Sequence, residues 1–338
     1  MAWVRRRDER GAGARHTSAA LERSLMAVLG GEYDDAEREI TALLKADSGR
    51  VELYLALARI FRIRGEVGRA IRIHQNLLMR SDLGAPDRTR ALAELAQDFR
   101  RGGFLRRAAA SYEEVLTREP RHPQALAGLV DVLAEVGEYG RAIRTHRRLA
   151  RVDKSRGAEE ASRLWLGLAQ AEHAQGHTDA ARKALKKALS RDPKNARAHA
   201  WLGRIEAERG RNKAALAAWR AVPELDREVA LDVYPRLEAA YSALDRAKDY
   251  EDFLRAILDR SPDDSGARCA LARSRVARGA IDEGIAELRR VLDGDPRHRD
   301  ARVELGRILL AEHRHTDAVK ELSELLEVLD EPRSGPAR

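Results

Sequence analysis

Residues 61–78, FRIRGEVGRAIRIHQNLL, decide how the rest of the chain is read. They have the form of the middle of one repeat: the end of a helix, a tight turn at Gly65 and Glu66, and a second helix opening near Gly68. Glycine ends helices well because it enters the left-handed region without steric cost. Ala70 then sits where a small side chain lets two helices touch. Working outward, the same position recurs at Ala36, Ala70, Ala108, Ala142, Ala181, Ala215, Tyr250, Gly284 and Ala318. The spacings are 34, 38, 34, 39, 34, 35, 34 and 34 residues.

Other positions keep step. Twelve residues earlier lies a second small residue in many units: Ser24, Ala58, Ala96, Ala169, Gly203, Ala272 and Gly306. Four residues later comes a larger one, as at Ile40, Tyr112, Leu185, Trp219, Leu254, Leu288 and Leu322. Prolines 120, 193, 262 and 296 fall between units, where a residue without an N–H stops one helix and starts the next. A 34-residue period of paired amphipathic helices is the tetratricopeptide signature. One pair cannot bury its own apolar stripe, so each unit leans on its neighbour. The sequence therefore predicts an all-α chain: a tetratricopeptide repeat α-solenoid, a right-handed superhelix of about nine helix-turn-helix units over residues 17–330. Residues 1–16, rich in Arg and Gly, read as a disordered basic N-terminus, and residues 331–338 as a frayed tail. The two long spacings place longer inter-repeat loops near residues 81–87 and 153–158. Tyr250 at a small position, with Pro223 and Pro235 nearby, predicts a wider helix angle or a kink in the seventh unit.

Composition agrees. Of 338 residues, 43% are hydrophobic and only 4% aromatic, which suits a thin core of Ala and Leu. The net charge of +8 admits acidic partners. Acidic residues are interleaved with the arginines, however, as on a solvated helix face with local ion pairs. No basic run alternates with aromatic stacking positions, so no nucleic-acid partner is expected. The single cysteine, Cys269, excludes an internal disulfide and any CxxC motif. No apolar run is long enough for a membrane span, which leaves peripheral membrane association open.

In this architecture the first helix of each pair lines the inner, concave face. Its solvent positions give Arg59 and Arg62, then Arg90, Gln97, Arg100 and Arg101, then Asp131 and Glu135, then Arg163, Gln170 and His173. Arg204, Arg273 and Arg307 follow at one equivalent position in later units. The guanidinium fork matches carboxylates. This face is therefore read as a site for an acidic or C-terminal peptide segment of another protein. The competing reading is that these arginines pair with Glu and Asp on their own helices.

Motifs for chemistry are lacking. His313 and His315 stand two apart, the wrong spacing for a shared metal on a helix. There is no GxxxxGK[ST], HExxH or GxSxG. Cys269 has no local His to activate it. No metal, cofactor or catalytic constellation is expected. His74 and His146 occupy the larger-side-chain position of their helices and read as partly buried histidines satisfied by a carbonyl or a nearby acid.

The run FRxRGEVxRAIRIHQ, residues 61–75, resembles the corresponding repeat of the lipopolysaccharide assembly protein B family. The likeness extends upstream to LLKADSG (residues 43–49) and downstream to RALAELAQDFRRGGFLRRA (residues 90–108), and thinly to about residue 260. The resemblance implies a non-enzymatic adaptor in the cytoplasm, at the inner-membrane face. Such an adaptor presents the lipid A deacetylase to a membrane AAA protease and so limits lipopolysaccharide synthesis. It points to Arg62, Arg64, Glu66, Arg69, Arg72, His74 and Gln75 as family-specific contacts, with packing between the second and third repeats as the other account of them. The family's N-terminal membrane helix and paired CxxC metal module have no counterpart in this sequence. Alternatives from other classes are a generic tetratricopeptide scaffold, as in secretion or motility machinery, and a nucleic-acid-associated repeat protein.

Overall fold

The computed structural model describes residue 23, residues 26–155 and residues 157–330. Ser24, the basic N-terminus and the tail lie outside the described residues. Among those described there are eighteen helices and no strand. The chain divides into two compact units, Met1–Leu168 and Ala169–Arg338.

The first unit holds α1 (Tyr33–Ala46), α2 (Val51–Ile63), α3 (Val67–Leu78), α4 (Ala85–Arg101), α5 (Leu105–Arg118), α6 (Pro123–Glu135) and α7 (Tyr139–Val152). The boundary falls inside α8 (Ala158–Ala174). The second unit holds α9 (Thr178–Arg191), α10 (Ala196–Glu208), α11 (Asn212–Trp219), the short α12 (Val222–Leu225), α13 (Arg227–Ser242), α14 (Ala247–Arg260), α15 (Ser265–Ala277), α16 (Ile281–Gly294), α17 (Arg299–Ala311) and α18 (His315–Asp330).

Within each unit a helix packs on its hairpin partner and on the first helix of the next hairpin. First helices also touch one another, as α2 touches α4, α4 touches α6, and α13 touches α15. They form an inner row, and the second helices an outer one. The small positions hold the layers together. Ala36, Ala70, Ala108, Ala142, Ala181, Ala215 and Ala318 are wholly buried. Tyr250, at the same step, is buried too, and its hydroxyl donates to the Tyr234 carbonyl at 2.9 Å. Gly203 shows why the opposing position is small: a Cβ there would meet the Trp219 indole at 2.3 Å. That indole instead donates to the Ala200 carbonyl at 3.0 Å.

Every hairpin turn uses one device. A residue of positive φ ends the first helix at Gly31, Gly65, Gly103, Gly137, Gly176, Gly210, Asp245, Gly279 and His313. The next amide donates back five residues, as Glu66 does to Phe61 and Arg314 to Leu309, both at 2.8 Å. His313 therefore belongs to a turn and not to a helix face.

The two long spacings are resolved differently from the sequence expectation. Helices α4 and α8 each have 17 residues, where α2, α6 and α10 have 13. The additional residues mostly lengthen the first helix by a turn and do not swell the loop before it. Helix propagation explains this, because each added residue gains a hydrogen bond once a nucleus exists. In the seventh unit Pro235 lies inside α13, and the outer helix before it ends at Trp219 and resumes as α12.

Candidate functional site

Each unit's inner row carries an arginine-bearing surface, and the two surfaces are built in opposite ways.

In the first unit the arginines expected to face a ligand are closed upon acids of the next first helix. Arg59 and Arg62 project from α2, and Glu94 and Asp98 from α4. Glu94 accepts from Arg59 Nε at 3.0 Å and from Arg62 at 2.9 Å. Asp98, fully buried, accepts from Arg62 at 2.7 Å and from His74 Nδ1 at 2.6 Å. His74 is itself fully buried, and its Nε2 has no partner among the described residues, so the Asp98 contact assigns the proton to Nδ1. Burial raises the Glu94 carboxyl, but the hydrogen bonds from Arg59 and Arg62 outweigh it and hold it below the usual glutamate range. One repeat on, Arg100 of α4 donates to Asp131 at 2.7 Å and to Glu135 at 2.8 Å, both on α6. Gln97 and Arg101 flank this pair and help to line a groove of about 710 Å³, with the buried Tyr112 at its floor. Burial pushes the Tyr112 hydroxyl up to about 12. Arg90 stands apart at the start of α4, 3.2 Å from Asp87.

The residues marked by the family resemblance fall into three groups. Arg62 and His74 meet on Asp98. Arg64, Glu66 and Arg69 join at the hairpin turn: Arg64 and Arg69 both reach Glu37 of α1 at 2.8 Å, and Arg69 also reaches Glu66. Arg72 and Gln75 are exposed on the outer side of α3.

The second unit is more open. Arg197, Trp201 and Arg204 lie at i, i+4 and i+7 on α10, one face of a helix. Facing them on α13 are Val229, Asp232 and Arg236, around a groove of about 440 Å³. The Arg204 guanidinium lies over the Trp201 ring at 4.9 Å and bonds Glu208 at 2.9 Å. His173 meets the same ring edge-on, with centroids 5.6 Å apart. Arg197 and Arg236 make no ion pair among the described residues, although both are exposed. Farther along the row Arg273 faces Glu238 without a close pair, and Glu238 is pushed up by burial and by Glu304, against the pull of Arg273. Arg307 is 3.6 Å from Glu304. Arg197, Trp201 and Arg236 were missed at the sequence level. The i, i+4, i+7 run with a central tryptophan was legible there, but the α13 side of the groove was not.

Nothing in either surface forms a set of convergent nucleophile, base and oxyanion donors. No group of three metal-ligating side chains exists among the described residues. Cys269 is buried, and burial pushes its thiol up to about 11, which leaves it a poor nucleophile. Among the described residues no helix is long and apolar enough to cross a membrane.

Comparison with known proteins supplies the class. A tetratricopeptide repeat family model matches residues 27–82, 93–156 and 269–336, more than half of the chain, and a second matches 172–233. The chain belongs to the tetratricopeptide repeat family. Among curated proteins it is similar to lipopolysaccharide assembly protein B of Escherichia coli strain K12, 29% identical over 80% of this chain and 70% of that protein. The protein of the same name from Haemophilus influenzae is 28% identical over 60% of this chain and 51% of its own length. Among solved structures, a tetratricopeptide repeat protein from Parabacteroides merdae is 17% identical over 77% of this chain and 99% of that chain, with a TM-score of 0.45.

Proposed function

We propose that this protein is a non-enzymatic protein-interaction adaptor in lipopolysaccharide assembly, working at the cytoplasmic face of the inner membrane. It holds the lipid A deacetylase as client and presents it to a membrane AAA protease. The likeness to lipopolysaccharide assembly protein B over four-fifths of the chain supports the setting. The observation that carries the adaptor reading is the open groove of the second unit. Trp201 and Val229 offer an apolar seat, and Arg197 and Arg236 offer guanidiniums not engaged by this chain's own described acids. Buried aromatic and arginine anchors are the groups that carry most of the energy at protein interfaces. The client segment would place an apolar side chain on Trp201 and a carboxylate, from an acidic residue or a C-terminus, at Arg197 or Arg236. Arg59, Arg62 and Arg100 serve this reading less well, because a ligand carboxylate would have to displace Glu94, Asp98, Asp131 or Glu135. Arg273 and Arg307, in the same unit, extend its row and would contact a longer segment.

The test is affinity capture from the native organism, followed by mass spectrometry for the deacetylase and the protease. Trp201→Ala, and Arg197→Glu with Arg236→Glu, are expected to lose the client while helicity is kept. Unchanged capture by these variants would sink the groove. Consistent absence of both proteins would turn the reading into a scaffold for another assembly.

A further inference from the structure

Helix α7 contains five arginines and no carboxylate. Its buried side is Ala142, Ile143, Thr145, His146 and Leu149. Arg141, Arg144, Arg147, Arg148 and Arg151 all project outward and are exposed, as are Arg121 in the turn before α6 and Lys154 after α7. The acids nearby in sequence and space are few. Glu113 and Glu138 are taken by Arg141, and Glu114 by Arg118. Asp153 accepts from the Ser155 amide and hydroxyl. Glu119 makes no ion pair among the described residues. Arg144, Arg147 and Arg151 likewise make none. Arg148 donates to the Pro120 carbonyl at 3.1 Å. With Arg121 and Arg151 it lines a cleft of about 560 Å³, whose apolar wall is Pro120 and Val152.

Such a row is costly to keep without counter-charge, since like charges one helical turn apart repel. Outer helices differ in this respect: α14 and α16 each carry more acids than bases, and α9, with five cations, also carries Asp179 and pairs Arg182 with Glu206. We infer that this face of α7 docks on the headgroups of an anionic phospholipid bilayer. A helix of this length presents its charges along about 20 Å of one side, a span that meets several headgroup phosphates in a plane. Each guanidinium fork can take a phosphate in bidentate fashion. The Arg121–Arg148–Arg151 cleft would seat one headgroup, with Val152 and Pro120 against its glycerol carbons. Arginines also serve nucleic-acid phosphates, but single-strand binding adds aromatic side chains on which bases stack, and the exposed positions of α7 include none. The exposed positions of α7 are its five arginines and Val152.

The test uses the full chain and vesicles of phosphatidylglycerol mixed with phosphatidylcholine, with vesicles of phosphatidylcholine alone beside them. Flotation should show binding to the first and not the second, weakened by added salt. Arg144→Glu, Arg148→Glu and Arg151→Glu combined, which reverse three charges, should lower partitioning by well over about a hundredfold, the loss expected at roughly fivefold per juxtamembrane charge for merely removing the three. The corresponding glutamine triple variant should fall between, with circular dichroism and melting unchanged in both because the three side chains are exposed. Absence of binding to phosphatidylglycerol vesicles, or binding that the folded variants leave intact, would overturn the proposal. So would binding of duplex DNA, or saturation by inorganic phosphate alone, through the same arginines without vesicle binding.

Discussion

The arginines of the two inner rows look alike in sequence and behave differently in structure. In the first unit Arg59, Arg62 and Arg100 are spent on acids one repeat further on, and Asp98 is buried beneath Arg62 and the His74 imidazole. In the second, Arg197 and Arg236 make no ion pair among the described residues, and Trp201 lines the same groove. An arginine on an inner helix is therefore not by itself a docking residue. Whether it is available depends on the acid presented by the next repeat. The first unit uses its charges to hold neighbouring repeats in register. The second leaves some of them without an ion pair among the described residues.

The largest expected effect lies where the first unit is most closed. Asp98→Ala leaves partly buried Arg62 with Glu94 as its remaining carboxylate and buried His74 Nδ1 without an acceptor. It should lower unfolding stability by about 3–5 kcal/mol, read by chemical denaturation, as for one partner removed from a buried pair. A loss under about 1 kcal/mol would mean the clasp is ordinary surface pairing. Next comes the open groove. Arg197→Glu with Arg236→Glu should weaken client binding by about 2 kcal/mol, near thirtyfold by calorimetry, while the melting temperature stays put. If Arg59→Glu alone did the same with the fold intact, the contrast between the units would be lost.

Acid should separate the units in sign. The native Glu94 value is depressed, so its stabilisation is full above the unfolded value of 4.5 and is lost as pH falls through the native one. The native Glu238 value is raised, so its contribution is most favourable below 4.5 and declines as pH rises through the native value. Hydrogen exchange across α4 and α13 should thus move in opposite directions as pH drops to about 4. Parallel loss of protection in both helices would break the comparison. The smallest effect concerns the turns. His313→Gly should stabilise the last hairpin by about 0.5–1 kcal/mol, because the native φ of 59° is one that glycine adopts freely. A lowered melting temperature would show that the imidazole does something the backbone does not require.

Much of the fold was legible because it rests on local, repeated constraints. The small positions from Ala36 to Ala318 are where helices touch, and glycine marks the turn seven times in nine. Asp245 and His313 take the same turn without announcing it. The clasp was not legible, because its partners stand about one repeat apart: Arg59 with Glu94, and Arg62 with Asp98. Pairs sought within a single helix miss that arrangement. A partly buried His74 beside a carbonyl or an acid followed from its register, but its full burial and the choice of Asp98 did not. The open groove needed α13 beside α10, and the irregular α11–α12 connection between them obscured that neighbour.

The four additional residues in α4 and in α8 have an evolutionary consequence. Four residues advance a helix by slightly more than a full revolution and about 6 Å, so the seam downstream meets its neighbours at almost the same azimuth. A gene can therefore lengthen one rod of this array without retuning the rest. Gains or losses of one or two residues would swing the apolar stripe off its seat by about 100° or 200°. Length variation among relatives should accordingly cluster in whole helical turns, with the remainder absorbed at the bends.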